Sequence, residues 1–145
     1  MEGVFLSPTI LTFKLKDYDM TFTASFDGSA KPNPGEMKVG GLIKYPDGEV
    51  MLEYSEELGQ GTNNEAEYAS LIMLLDKLIE HNIQEIVIRG DSALVVNQVN
   101  RTWKAKDERM KALRNKARQM LSLIPDWKLE HVLRGKNKEA DSLTR

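Results

Sequence analysis

The sequence predicts an α/β protein with a mixed five-stranded sheet, three strands antiparallel and two parallel, flanked by helices. Three observations predict it. Three β-prone runs near the start are joined by turn chemistry, including Pro46-Asp47-Gly48. A long segment with helical periodicity follows at 62–82. Beyond it, short apolar runs alternate with helix-forming segments, the signature of crossover-linked parallel strands.

Each element has its own signal. Residues 21–27, Thr-Phe-Thr-Ala-Ser-Phe-Asp, read as a buried strand that ends in a carboxylate, followed by a small Pro-rich loop. Residues 37–45 and 49–58 form a hairpin about the Pro-Asp-Gly turn. In 62–82, Thr62, Asn63 and Asn64 offer cap side chains, and Glu65 and Glu67 suit the positive end of the helix dipole. Leu71, Leu74, Leu75 and Leu78 make its apolar stripe. Residues 85–92 read as a central parallel strand. A helix near 93–100, a basic helix near 107–122, a strand at 127–133 and a helix-prone end at 137–145 complete the order. Leu11, Phe13 and Leu15 alternate with Thr12, Lys14 and Lys16, which suggests one further short strand.

Composition narrows the function classes. The chain has 145 residues, enough for one domain with a sizeable core. It has no cysteine and only two histidines, so disulfides, Cys-ligated zinc and a His-rich metal centre are excluded or disfavoured. The missing cysteines fit a reducing compartment, and the cytoplasm is the expected location. No apolar run approaches the ~18 residues of a membrane span, and residues 1–3 lack a basic leader region. Charge is unevenly placed. Residues 1–100 carry 7 basic against 16 acidic side chains, whereas residues 101–118 carry 8 against 2. That basic segment reads either as a solvated helix face or as a stripe for phosphates.

Four carboxylates stand out by position. Asp27 ends the first strand and Asp91 ends the fourth, on either side of the change from hairpin to crossover pairing, where open α/β sheets place their sites. On a helix, Leu71, Leu74 and Leu78 all fall within about 40° of Glu67, so Glu67 sits in the stripe that faces the sheet and needs a partner there. Asp141 lies in a short helical pattern with Ala140 and Leu143 toward the body. Singly, each has a plainer reading: Asp27-Gly28 as a turn, Asp91-Ser92 as a helix cap, Glu67 as a dipole partner. Jointly, carboxylates on one sheet edge repel unless protonated or bridged by cations. Hard oxygen ligands point to Mg²⁺ or Mn²⁺, and a pair of such ions about 3.5–4 Å apart serves in-line phosphodiester cleavage.

Four stretches, FDGSAKPNPG, GTNNEAEY, IRGDS and NKEAD, resemble in order and spacing the type 1 ribonuclease H family over residues 21–145. The resemblance implies a ribonuclease H-like fold and an endonuclease cutting the RNA strand of RNA–DNA hybrids with two Mg²⁺ ions, Mn²⁺ being an alternative. Carried over by motif, the catalytic and metal-binding set is Asp27, Glu67, Asp91 and Asp141. Gly28, Ser29 and Asn33, with Thr62, Asn63 and Asn64, look like substrate contacts. The domain expected is 21–145, with 1–20 as an N-terminal extension, and the protein is expected to be a monomer.

The chain departs from the best-known bacterial members in three places. The route from Asn100 to Asp107 is too short for their basic protrusion; Lys104 and Lys106 with Trp103 substitute in part, although Trp103 reads first as a half-buried anchor. Their loop histidine has no counterpart, since His131 falls inside a strand, and Arg134 is the auxiliary candidate. His81 reads as a complement to a helix C-terminus. The chain runs only four residues past Asp141, which places that carboxylate near an end prone to fraying. Rival readings are a nuclease of this fold acting on double-stranded RNA or RNA–DNA junctions, a piece of a reverse transcriptase, and a non-catalytic hybrid-binding module.

Overall fold

The computed structural model describes residues 20–145; the short strand expected at 11–16 lies outside them. The strands are β1 (Phe22–Lys31), β2 (Gly35–Lys44), β3 (Val50–Gly61), β4 (Glu85–Gly90) and β5 (Asp126–His131). The helices are α1 (Asn63–Glu80), α2 (Ala93–Val99), α3 (Glu108–Leu121) and α4 (Lys138–Ser142), with a 3₁₀ turn at Arg134–Lys136. The sheet order is β3-β2-β1-β4-β5, with β1, β2 and β3 antiparallel and β4 parallel to both β1 and β5. This is the mixed sheet the sequence predicts.

One boundary differs in a way that matters. β1 does not stop at Asp27 but continues to Lys31, paired with β2 out to Glu36. Gly28 and Ser29 are therefore strand residues, and the connection to β2 is only residues 32–34. Pairing with β2 extends β1, whereas the parallel ladder with β4 ends at Phe26↔Gly90. Asp27 is thus the first β1 residue beyond that ladder, and Asp91 the first residue after β4.

The core follows from the predicted stripe. Leu71, Leu74, Leu75 and Leu78 of α1 are fully buried against Phe26, Ile43, Ile86 and Ile88 of the sheet. Each such side chain contributes roughly 1.5–3 kcal/mol of burial free energy. α1 starts at a capping box: Thr62 Oγ1 accepts from the Glu65 amide, and the Glu65 carboxylate accepts from the Thr62 amide. Polar bonds then fix its height on the sheet. Tyr54 Oη donates to the Ser70 carbonyl at 2.7 Å, and Ser70 Oγ donates to the Gly40 carbonyl at 2.8 Å. Tyr68 Oη donates to Gln98 Oε1 at 2.6 Å, tying α1 to α2. Asn100 Nδ2 donates to the Leu129 carbonyl, tying the end of α2 to β5. His81 occupies the C-cap of α1.

Candidate active site

The edge of the sheet where β1 outruns β4 receives three carboxylates. Asp27, Glu67 and Asp91 each present an oxygen within 4.8 Å of the other two. Asp27 and Glu67 are buried and Asp91 is half-buried. Glu67 reaches the edge because α1 lies directly on β1 there. A β-carbon on Gly28 would stand 2.3 Å from the Ala66 carbonyl oxygen and 2.8 Å from the Glu67 amide nitrogen, so only glycine permits this approach. The plainer reading of Asp91-Ser92 as a cap falls to its second residue: Ser92 Oγ accepts from the Val95 amide at the start of α2, while Asp91 faces the groove.

Asp141 arrives differently. α4 packs on β2 where Gly40 pairs with Asp27, and a β-carbon on Gly40 would meet the Leu143 β-carbon at 2.7 Å. Asp141 is buried next to Asp27, yet it is not one of the three converging carboxylates. Its Oδ2 pairs with Arg145 Nη2 at 2.7 Å, and its Oδ1 faces Arg134 Nη2 at 3.7 Å. The structure therefore gathers three of the four expected acids and leaves the fourth beside them on arginine. The five-residue helix that carries it does not end loosely. Thr144 Oγ1 stands 3.1 Å from Asp27 Oδ2 and 2.8 Å from the Asp141 carbonyl oxygen, with its single proton between the two acceptors.

The electrostatics follow from burial and crowding. Burial first, then the charge of Asp91, pushes the Asp27 carboxyl up to about 7. Burial, then Asp27 and Asp91, pushes Glu67 up to about 10. Asp141 is held below its ordinary value, chiefly by the Arg145 hydrogen bond. Glu67 Oε1 is buried without a hydrogen-bond partner. Three converging carboxylates, one of them with a buried oxygen left unpartnered, fit a hard divalent cation, for which an all-oxygen donor set is the usual host.

Of the other residues singled out, Gly28, Ser29, Asn63, Asn64 and Arg134 line the groove over the acids. A second groove, lined by Asn33, Pro34, Thr62, Asn63, Asn64, Asp107, Arg109 and Met110, continues it across the start of α1. The two grooves share Asn63 and Asn64. Asn63 Oδ1 accepts from the Ala30 amide at 2.7 Å, and the Asn63 amide donates to Asn33 Oδ1 at 2.9 Å, which stitches the β1–β2 turn to α1. Thr62 spends its hydroxyl on the cap. Lys104 and Lys106 are exposed on the α2–α3 connection and line neither groove. Trp103 is 50 % exposed, so about half of its surface is covered, in keeping with a half-buried residue. His131 closes β5, as expected.

Three residues escape a reading of the sequence. Asn137 is buried at the N-cap of α4 but makes no cap bond; its Nδ2 donates to the Phe26 carbonyl at 3.0 Å and lies 3.4 Å from Asp91 Oδ2, while its Oδ1 has no partner. Its spacing of four residues before Asp141 is the one signal for it. Thr144 and Arg109 carry no local signal. Arg109 Nη1 pairs with Glu65 Oε2 at 2.9 Å and brings α3 to the second groove.

Comparison with known proteins agrees with this architecture. The family model described as reverse transcriptase-like matches residues 25–145. Ribonuclease HI of Halobacterium salinarum is 36% identical over 138 residues, spanning 94% of this chain and 69% of that protein. The crystal structure of ribonuclease H1 from the same archaeon superposes with a TM-score of 0.82 over 85% of this chain and 93% of that one. A crystal structure of LC11 ribonuclease H1 in complex with an RNA/DNA hybrid is 31% identical, with a TM-score of 0.79 over 84% of this chain and 92% of that one. The chain belongs to the ribonuclease H type 1 family of enzymes.

Proposed function

We propose that the protein is a metal-dependent endoribonuclease that hydrolyses the RNA strand of RNA–DNA hybrids, with Asp27, Glu67, Asp91 and Asp141 holding two Mg²⁺ ions, Mn²⁺ being an alternative. The observation that carries it is the convergence of the Asp27, Glu67 and Asp91 carboxylates, with Glu67 Oε1 buried and unpartnered. A binding module for a polyanion gains nothing from such a cluster, because uncompensated carboxylates repel phosphates. Divalent ions bound there would neutralise the acids and supply the Lewis-acid charge that in-line phosphodiester hydrolysis requires.

The chain's own residues then divide the remaining work. β1 and α1 hold Asp27 and Glu67 on backbone fixed by the Gly28 contact, so the ligands are pre-positioned. Gly28, Ser29, Asn63 and Asn64 line the adjoining groove, where amides and hydroxyls can pair with a ribose 2′-OH that DNA lacks. Asn33 and Thr62 act mainly through the stitch and the cap that fix the groove's shape. Arg134, exposed at the groove's rim, is the auxiliary cation for the phosphate or the leaving group. Lys104 and Lys106 extend the positive field toward the phosphates beyond the groove. The complex of LC11 ribonuclease H1, a relative with the same fold, with an RNA/DNA hybrid supports this substrate. Residues 21–145 are the catalytic domain in this reading, residues 1–20 an N-terminal extension, and the protein acts as a cytoplasmic monomer. Among the described residues no helix is long and apolar enough to cross a membrane.

The test is cleavage of end-labelled RNA–DNA hybrid in Mg²⁺, Mn²⁺ or EDTA, beside single-stranded RNA, double-stranded RNA, an RNA–DNA junction and duplex DNA. Metal-dependent cutting of the RNA strand of the hybrid alone is the expected result. Equal cutting of duplex DNA, or cutting in EDTA, overturns the proposal. Asn64→Ala should lower activity on hybrid without removing bound metal.

A further inference from the structure

Asp141 stands at the margin of the three-carboxylate cluster, within side-chain reach of Asp27, and its oxygens also face two arginines. The nearer partner is Arg145, at 2.7 Å. We propose that Arg145 is a resident counter-ion of this site, whose positive charge on Asp141 competes with a divalent cation, so that metal binding works against it. The inference rests on the reading of the four acids as a metal site.

The backbone around Arg145 is held from several sides. Leu143 lies against Gly40 of β2, and Ser55 Oγ of β3 donates to the Leu143 carbonyl. Thr144 Oγ1 reaches Asp27 of β1. Lys38 Nζ of β2 donates to the Arg145 carbonyl oxygen at 2.9 Å. Three consecutive residues are thus tied to three strands, and the guanidinium is delivered to Asp141 from a fixed base. Asp141 presents the same carboxylate to the arginine that it would present to a metal.

The two cations compete for that carboxylate. A small divalent cation sits about 2.0–2.1 Å from its oxygens, so with the guanidinium on the same carboxylate two positive centres would stand only about 4 Å apart and repel. Their exchange is easy because the Arg145 side chain is 73% exposed, so it can swing into water when displaced. Until then it offsets negative charge in a crowded cluster. Arg134 does not fill the same role, since at 3.7 Å from Oδ1 it makes a longer contact.

Titration calorimetry with Mn²⁺ at fixed ionic strength tests this, on the full chain and without substrate. Arg145→Ala should tighten the apparent Kd about two- to five-fold, the range set by an exposed ion pair, and should lower the melting temperature in EDTA. Arg145→Lys, which loses the guanidinium fork but keeps the charge, should fall between. Lys31→Met is the control for the general field: it removes one positive charge from the lining of the same groove, and should shift the Kd less than Arg145→Ala. An unchanged or weaker Kd in Arg145→Ala overturns the inference, as does an equal shift in Lys31→Met. Wild-type protein that binds no Mn²⁺ overturns the metal reading as well, whereas wild-type binding with an unmoved Arg145→Ala Kd overturns the counter-ion alone.

Discussion

Gly28 lies so close to Ala66 that a β-carbon at residue 28 would stand 2.3 Å from the Ala66 carbonyl oxygen. The obstacle is backbone, so nothing flexible can move aside. Gly28→Ala must lift α1 from β1, and the residue carried away is Glu67. Stability should fall by about 1–3 kcal/mol, as for other forced overpacking. Hybrid cleavage should fall further than stability explains, because a displacement of about 1 Å at a positioned group costs on the order of 10²-fold. Denaturant melts alongside cleavage rates read both effects; wild-type activity in Gly28→Ala would show that the approach is not needed.

Asp27→Asn should reduce hybrid cleavage by roughly 10²-fold or more, since even supporting partners of metal ligands reach that range. It should not lower the melting temperature in EDTA, because it removes a charge from a cluster that repels itself. A melting temperature well below wild type would count against the charge argument.

The metal-free protein should lose stability as pH rises. The folded carboxyl of Asp27 sits at about 7, and that of Glu67 at about 10, against ordinary values of 3.8 and 4.5. Folded protein therefore holds protons that unfolded protein has released. The contribution is full below the ordinary values and disappears as pH climbs through the folded ones. In EDTA, the melting temperature should drop between about pH 5 and about pH 8, and Asp27→Asn should flatten part of that slope. Mg²⁺ should restore more stability at the higher pH, where the acids are ready to receive it. A slope of the opposite sign in EDTA contradicts this.

The basic segment should set affinity and leave chemistry alone. Lys104 and Lys106 are exposed away from the acids, and Lys111 makes only an exposed pair with Glu108. Replacing all three by Ala should raise KM, leave kcat nearly unchanged and flatten the dependence on salt. Steady-state kinetics at several salt concentrations decide it: lost kcat with an unchanged salt slope places these residues elsewhere.

Much of this site could be read in one dimension because helix and strand periods are local. The three-leucine stripe alone puts Glu67 on the sheet face of α1, and Asp91 follows directly from an apolar run. What could not be read depends on pairing. Gly28 and Ser29 look like loop residues until β2 extends β1 beside them, since register exists only between strands. Asn137 carries no role in the sequence beyond its place in the NKEAD stretch, and only the fold brings its amide to β1 and Asp91. The hold of Arg145 on Asp141 fits helical spacing, but the ties of residues 143–145 to three strands appear only in space.

The brevity of α4 has a consequence for how the protein comes apart. Five residues cannot sustain a helix by themselves, so α4 persists through its seat on β1 and β2. It forms a small cooperative unit that can detach while the sheet and α1 stay intact. In rising urea, amide hydrogens of residues 138–142 should exchange with solvent ahead of those in β1 and β4. Catalytic competence would then vanish at a lower urea concentration than far-ultraviolet ellipticity, leaving a folded but inert population between the two midpoints.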